Sequence, residues 1–261
     1  MFGLVGSGAI AGWIVGGFVT DRLAERFGTE DLLLGVALAL GASASLVPFI
    51  WRGRPEGIDE PELEAGRAGG LADSLKLVLS SPYLRAIASV ILISSFVTTI
   101  AGWQFKAIAK ASIPETDTLT AFFGMFNFYA GLGSLALQLL LTSRLLRAFG
   151  IGFGLFVVPT VLAIGTVGVA ITGGLVAAVL LKGSDQVLRY SIDRATVELL
   201  YLPVPASQTF QAKSFIDTVV WRTGDGLAGV LVLLCAVVLG LSPVQVGWVN
   251  LALIGLWMAV A

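Results

Sequence analysis

Between Arg85 and Lys106 the chain reads AIASVILISSFVTTIAGWQF (86–105), twenty residues without a charge. At 1.5 Å of rise per residue, a helix of about 20 residues crosses the hydrocarbon core of a bilayer. Hydrocarbon offers no partner to a backbone N–H or C=O, so such a run is read as a helix that pairs these groups internally. Similar runs recur along the chain. Spans are expected at roughly 2–20, 32–51, 84–106, 119–143, 151–172, 174–200, 208–240 and 243–261. The expected fold class is all-α integral membrane, with about eight transmembrane helices.

Composition agrees. Hydrophobic residues make up 56% of the 261 residues and charged ones 13%, against roughly 25% charged in soluble domains. Mean hydropathy is +0.91. So few charges cannot clothe a water-facing surface, which makes the lipid bilayer the expected surroundings. The net charge of −1 excludes an electrostatic footprint for nucleic acid. Histidine is absent, and the single Cys235 sits in an apolar run, which excludes histidine triads, disulfide frameworks and thiolate metal clusters. No Walker-type loop, zinc motif or nucleophile elbow is present. Neither an enzyme nor a cofactor is expected. The first apolar stretch lacks the basic flank and cleavage site of a signal peptide.

One polar segment interrupts the runs, from Trp51 to Ser81, with Pro55, Glu56, Asp59, Glu60, Pro61, Glu62, Glu64 and Arg67. Such a composition is expected to be mobile or partly disordered, with amphipathic Ala72–Leu79 lying along the membrane interface. The segment divides the chain into 1–51, the last two helices of an N-terminal transmembrane half; 52–81, a cytoplasmic linker; and 82–261, a C-terminal six-helix half. That is a six-plus-six bundle without its first four helices; the alternative is a design of eight helices. Counting spans puts Arg52, Arg54, Arg67, Lys76, Arg85, Arg144, Arg147 and Lys213 on the linker side, against Arg22, Arg26, Lys106 and Lys110 on the other. The excess of basic residues assigns the linker side to the cytoplasm, for a multi-pass protein of the cell inner membrane.

Charges within spans are costly and mark substrate paths. Here they concentrate in 182–225: Lys182, Arg189, Arg194, Lys213 and Arg222 against Asp185, Asp193, Glu198, Asp217 and Asp225, five of each sign. At 100° per residue, Lys182, Asp185, Gln186, Arg189, Asp193 and Thr196 form one stripe, which must face other helices or a water-filled cavity. Asp185 with Arg189, Arg194 with Glu198, and Lys213 with Asp217 are spaced to pair at i,i+4. On the next helix Gln208, Gln211, Thr218, Arg222 and Asp225 share a face. Asn127, Tyr129 and Gln138 in the fourth span are further cavity candidates, whereas Gln104 and Lys106 are expected to snorkel. Trp13, Trp51, Trp103, Trp248 and Trp257 suit aromatic belts at span ends. The structural alternative is that the ion pairs only hold the bundle together or latch its cytoplasmic end.

The stretch Leu188-Arg189-Tyr190-Ser191-Ile192-Asp193-Arg194 with Glu198-Leu199-Leu200-Tyr201-Leu202-Pro203, then Ala212-Lys213-Ser214-Phe215-Ile216-Asp217 and Arg222-Thr223-Gly224-Asp225, resembles the ATP:ADP antiporter (nucleotide transporter) family. The resemblance is strongest over 182–229 and extends over 82–261. It implies a bacterial relative within the major facilitator superfamily and a small anionic solute such as a nucleotide. Two departures stand out. The first, second, fourth and fifth spans carry essentially no buried charge, and Asp225 stands where the family has a basic residue. Gly17-x-x-x-Asp21-Arg22 also resembles a short facilitator loop motif that would put 21–31 in the cytoplasm, opposite to the side given by counting spans.

The reading that follows is a secondary transporter working by alternating access, exchanging nucleotides or other organic anions. Lys182, Arg189, Lys213, Arg222, Asn127 and Gln138 are the candidate substrate contacts. Asp185, Asp193, Arg194, Glu198, Asp217 and Asp225 are the candidate gating ion pairs or proton-coupling groups. The competing reading is a membrane sensor or scaffold that no longer transports, motivated by the neutrality of the charged stretch. That reading implies a fused or associated cytoplasmic regulatory domain.

Overall fold

A computed structural model describes residues 2–52 and 70–261, and every regular element among them is a helix. α1 (Phe2–Phe27) and α2 (Thr29–Arg52) come first, then the short α3 (Leu71–Ser80) and the long α4 (Pro82–Ser112). α5 (Thr116–Leu137) runs through a π turn (Gln138–Thr142) into α6 (Ser143–Thr172). α7 (Leu175–Leu188), a π turn (Arg189–Asp193) and α8 (Arg194–Leu200) follow one another without a break. So do α9 (Ala206–Phe215), a π turn (Ile216–Val220), α10 (Trp221–Leu233) and a π turn (Leu234–Val238), before the closing α11 (Pro243–Val260).

The helix ends are chemically marked. Before α4, Ser81 Oγ accepts from the Leu84 N–H at 3.4 Å, and Pro82 fills a first-turn position that has no use for its missing N–H. Before α11, the Ser242 N–H donates to Gln245 Oε1 at 2.8 Å and the Gln245 N–H returns to Ser242 Oγ at 3.3 Å, a reciprocal cap. Gly150 breaks the helical run from Thr116 to Thr172: its φ of 79° with ψ of 178° is open essentially to glycine alone.

Five described helices are long and apolar enough to cross a membrane: Thr29–Arg52, Pro82–Ser112, Thr116–Thr172, Ser207–Val238 and Pro243–Val260. The rod from 175 to 200 falls outside that set because Lys182, Asp185, Arg189, Asp193, Arg194 and Glu198 all lie on it.

Packing is that of a molecule dissolved in lipid. Leu38, Phe49, Ile171, Val176 and Val237 are each more than 70% exposed, while Gln104, Ser95, Asp185 and Asn250 are fully buried. In water the first group would cost roughly 25 cal/mol for each Å² of apolar surface left uncovered. The main core joins Val97, Phe105, Leu162, Leu181, Ile254 and Trp257 from α4, α6, α7 and α11. Trp257 is therefore a core residue and not part of an aromatic belt.

α1 packs far more extensively on α5 than on its chain neighbour α2. The turn between α1 and α2 is fastened to α5 by Thr29, whose N–H and hydroxyl donate to Asp117 Oδ1 at 2.9 and 2.7 Å. Of the expected linker, residues 53–69 lie outside the described residues. Its last part is the helix α3, which turns Ser74 and Val78 inward and leaves Leu71 and Leu79 exposed.

Candidate functional site

The polar stripe of α7 builds the site. Asp185 is fully buried and accepts from Lys182 Nζ and Arg189 Nη2, both at 2.6 Å, one helical turn before and after it. A carboxylate taken out of water needs such charge-assisted bonds to remain ionised. Lys182 reaches across α4 at Gly102, where there is no side chain to stand in its way; a Cβ at Gly102 would lie 3.7 Å from Nζ. The Arg189 guanidinium lies 5.2 Å from the centre of the Trp221 ring, and its Nη1 is buried without a hydrogen-bond partner. A desolvated guanidinium N–H is a donor that an anion can satisfy.

These groups face a cavity of about 400 Å³. α1 contributes Trp13, α4 contributes Phe105 and Lys106, and α5 contributes Phe123, Phe126 and Asn127. Trp13 meets Tyr190 edge to face at 4.8 Å, and Phe105 lies 4.6 Å from Phe126. The neutrality of the 182–225 stretch does not carry over to this space. Lys106, Lys182 and Arg189 line the cavity against Asp185 alone, three cations to one carboxylate. Such an excess in a cleft concentrates anions, and aromatic walls offer flat surfaces for a ring to stack on.

Of the six candidate contacts, the structure brings Lys182, Arg189 and Asn127 together; Lys213, Arg222 and Gln138 lie outside this cavity. Lys213 Nζ pairs with Glu198 Oε2 at 2.5 Å, joining α9 to α8 instead of pairing with Asp217 along its own helix. Lys213 also stands over the Tyr201 ring at 5.8 Å. Burial, with Asp217 and then Glu198 beside it, pushes the Tyr201 phenol above its ordinary range, so it stays neutral. Arg194 is exposed and makes no ion pair among the described residues. Arg222 is largely exposed and reaches Asp225 at 3.8 Å, and Asp225 also accepts from the Thr99 hydroxyl at 3.0 Å. Gln138 Oε1 is buried without a partner at the π turn after α5. Asp193 follows Arg189 in the π turn and does not line the cavity.

Sequence reading missed Lys106 and Trp13 as cavity residues. Each was weighed by its place on its own helix, and nothing in a single helix shows what faces it. Gln104 does not snorkel: it is fully buried, and its Nε2 donates to the Pro243 carbonyl at 2.7 Å.

Comparison with known proteins adds an independent finding. The sequence model of a family described as TLC ATP/ADP transporter matches residues 64–261. ADP,ATP carrier protein 1 of Chlamydia pneumoniae is 24% identical over 236 residues, which cover 79% of this chain and 46% of that protein. ADP,ATP carrier protein 2, chloroplastic, of Arabidopsis thaliana is 25% identical over 217 residues, 74% of this chain and 35% of that one. ADP,ATP carrier protein 1 of Rickettsia bellii is 22% identical over 257 residues, 86% of this chain and 51% of that one. The chain thus spans about a third to a half of the length of these relatives. No solved structure matches it.

Proposed function

The chain belongs to the TLC ATP/ADP transporter family, and on that premise we propose that it forms part of a nucleotide transporter of major-facilitator type. The observation that carries this reading is the cationic cavity with aromatic walls, lined by Arg189, whose Nη1 is buried without a partner. Phosphate oxygens can join Asp185 on Lys182 and Arg189, since both keep further charge-assisted donors suited to phosphate. The carboxylate keeps its bonds to the two cations and holds them in place as a nucleotide enters. Base and ribose rest against Trp13, Tyr190 and Phe126.

In this reading the helical stretches make about eight spans, divided as 1–51, a cytoplasmic linker 52–81, and 82–261. α1 belongs to one half and α5 to the other, and their crossing is where the halves move against each other in alternating access. The Glu198–Lys213 pair, with Arg194, Asp193 and Asp217 near it in the chain, latches the linker side. Arg222 with Asp225 ties the next helix to α4 through Thr99. The protein resides in the inner membrane with its linker in the cytoplasm.

Exchange is tested in liposomes preloaded with ADP, inorganic phosphate or nothing, by following uptake of labelled ATP. Uptake is expected only with nucleotide inside. Nucleotide binding without any uptake, from protein shown to be folded, would overturn the exchange reading in favour of a sensor that no longer transports.

A further inference from the structure

The cavity holds a neutral polar pair beside its charges. Gln186 is 6% exposed and lines the cavity next to Asn127. Asn127 Nδ2 donates to the Phe123 carbonyl at 2.9 Å. A backbone carbonyl can only accept, so this bond fixes which end of the Asn127 amide is nitrogen. Asn127 Oδ1 is thereby turned toward Gln186, whose Nε2 donates to it at 3.0 Å. The orientation of Gln186 is set in turn. The bond to Asn127 is the one side-chain hydrogen bond of Gln186 among the described residues, which leaves one Nε2 hydrogen and Oε1 for a ligand. The amide keeps a donor and an acceptor for a ligand, four residues after Lys182 and three before Arg189. Phe123 and Phe126 of α5, with Trp13 and Tyr190, line the same cavity.

We propose that Gln186 is the residue that selects the base, its free amide edge reading the exocyclic amine and the neighbouring ring nitrogen of adenine. This inference rests on the nucleotide reading above. A primary amide matches adenine because the base presents an N–H donor beside a ring-nitrogen acceptor, and such a bidentate contact discriminates between bases by roughly tenfold to a hundredfold. Asn127 is a positioning residue: bonded to the Phe123 carbonyl, it prevents the Gln186 amide from flipping. The cations one turn away hold the phosphates whatever the base is.

The test is equilibrium binding of ADP, GDP and pyrophosphate to the purified protein, Q186E and Q186L, with thermal unfolding measured on each. The unsubstituted protein is expected to prefer ADP over GDP. Q186E is expected to reverse that preference, because a carboxylate accepts from the N1–H and N2–H of guanine and repels the ring nitrogens of adenine. Q186L is expected to lose the preference while binding pyrophosphate unchanged, and it carries the test if Q186E does not fold. Equal effects of both substitutions on ADP and GDP, or equal binding of the two by the unsubstituted protein, would overturn the base-reading role alone. Failure of the unsubstituted protein to bind either nucleotide would overturn the nucleotide reading and this inference together.

Discussion

Arg189→Ala is expected to weaken nucleotide binding by roughly tenfold to a hundredfold. The guanidinium is mostly buried, held by Asp185 on one nitrogen and by the Trp221 face, and its second terminal nitrogen has no partner. In the nucleotide reading the unpartnered nitrogen turns to phosphate while Asp185 keeps the other. Hydrogen bonds to charged groups are worth about 1.5–3 kcal/mol each, so losing one costs roughly tenfold to a hundredfold in affinity. Arg189→Lys keeps the charge but loses the planar fork and the stacking surface, and is expected to fall between the two. Equilibrium binding of labelled ADP at fixed salt, with unfolding curves for each variant, measures this. Unchanged affinity in folded Arg189→Ala would remove the cavity from the account.

The second large effect is structural. A Cβ on Gly124 would stand 2.5 Å from the backbone nitrogen of Asp21, and one on Gly17 would stand 2.6 Å from that of Phe128. Backbone meets backbone at this crossing of α1 and α5, and no flexible side chain can give way. Small residues permit such close approach in membrane bundles, where packing itself drives association. Gly124→Leu therefore forces the helices apart. Overpacking of this kind costs about 1–3 kcal/mol where neighbours can adjust, and more where they cannot. Because α1 carries Trp13 to the cavity, the unfolding temperature and the nucleotide affinity are expected to fall together. Gly226→Leu is the control, since a Cβ at Gly226 would meet nothing within 4 Å; equal behaviour of the two variants would show that the crossing is unimportant.

Much of this molecule was legible in its sequence because hydrocarbon leaves the backbone few choices. The apolar runs did form helices, and Pro82, Gly150 and Pro243 stand where helices start or break. The stripe of α7 was visible from spacing alone, and Asp185 pairs with Arg189 as the i,i+4 rule requires. Beyond Arg189 that rule stopped serving. The π turn Arg189–Asp193 advances by i→i+5 bonding, so residues after it no longer keep the 100° step counted from Lys182. Arg194 and Glu198 share the ordinary helix α8 after that turn, yet they do not pair, because Glu198 meets Lys213 across the junction between the two rods. The cavity itself could not be read from any one helix. Lys106, Trp13 and Asn127 come from three helices far apart in the chain, and only packing shows that they share a space with Arg189.

The most direct test of that shared space is photoaffinity labelling with an azido-substituted adenine nucleotide, followed by mapping of the labelled peptides. Labelling of the Trp13 segment of α1 and of residues 182–190, suppressed by excess ATP, is the predicted result. Labelling confined to residues 194–217 around the Glu198–Lys213 pair, with α1 untouched, would contradict it.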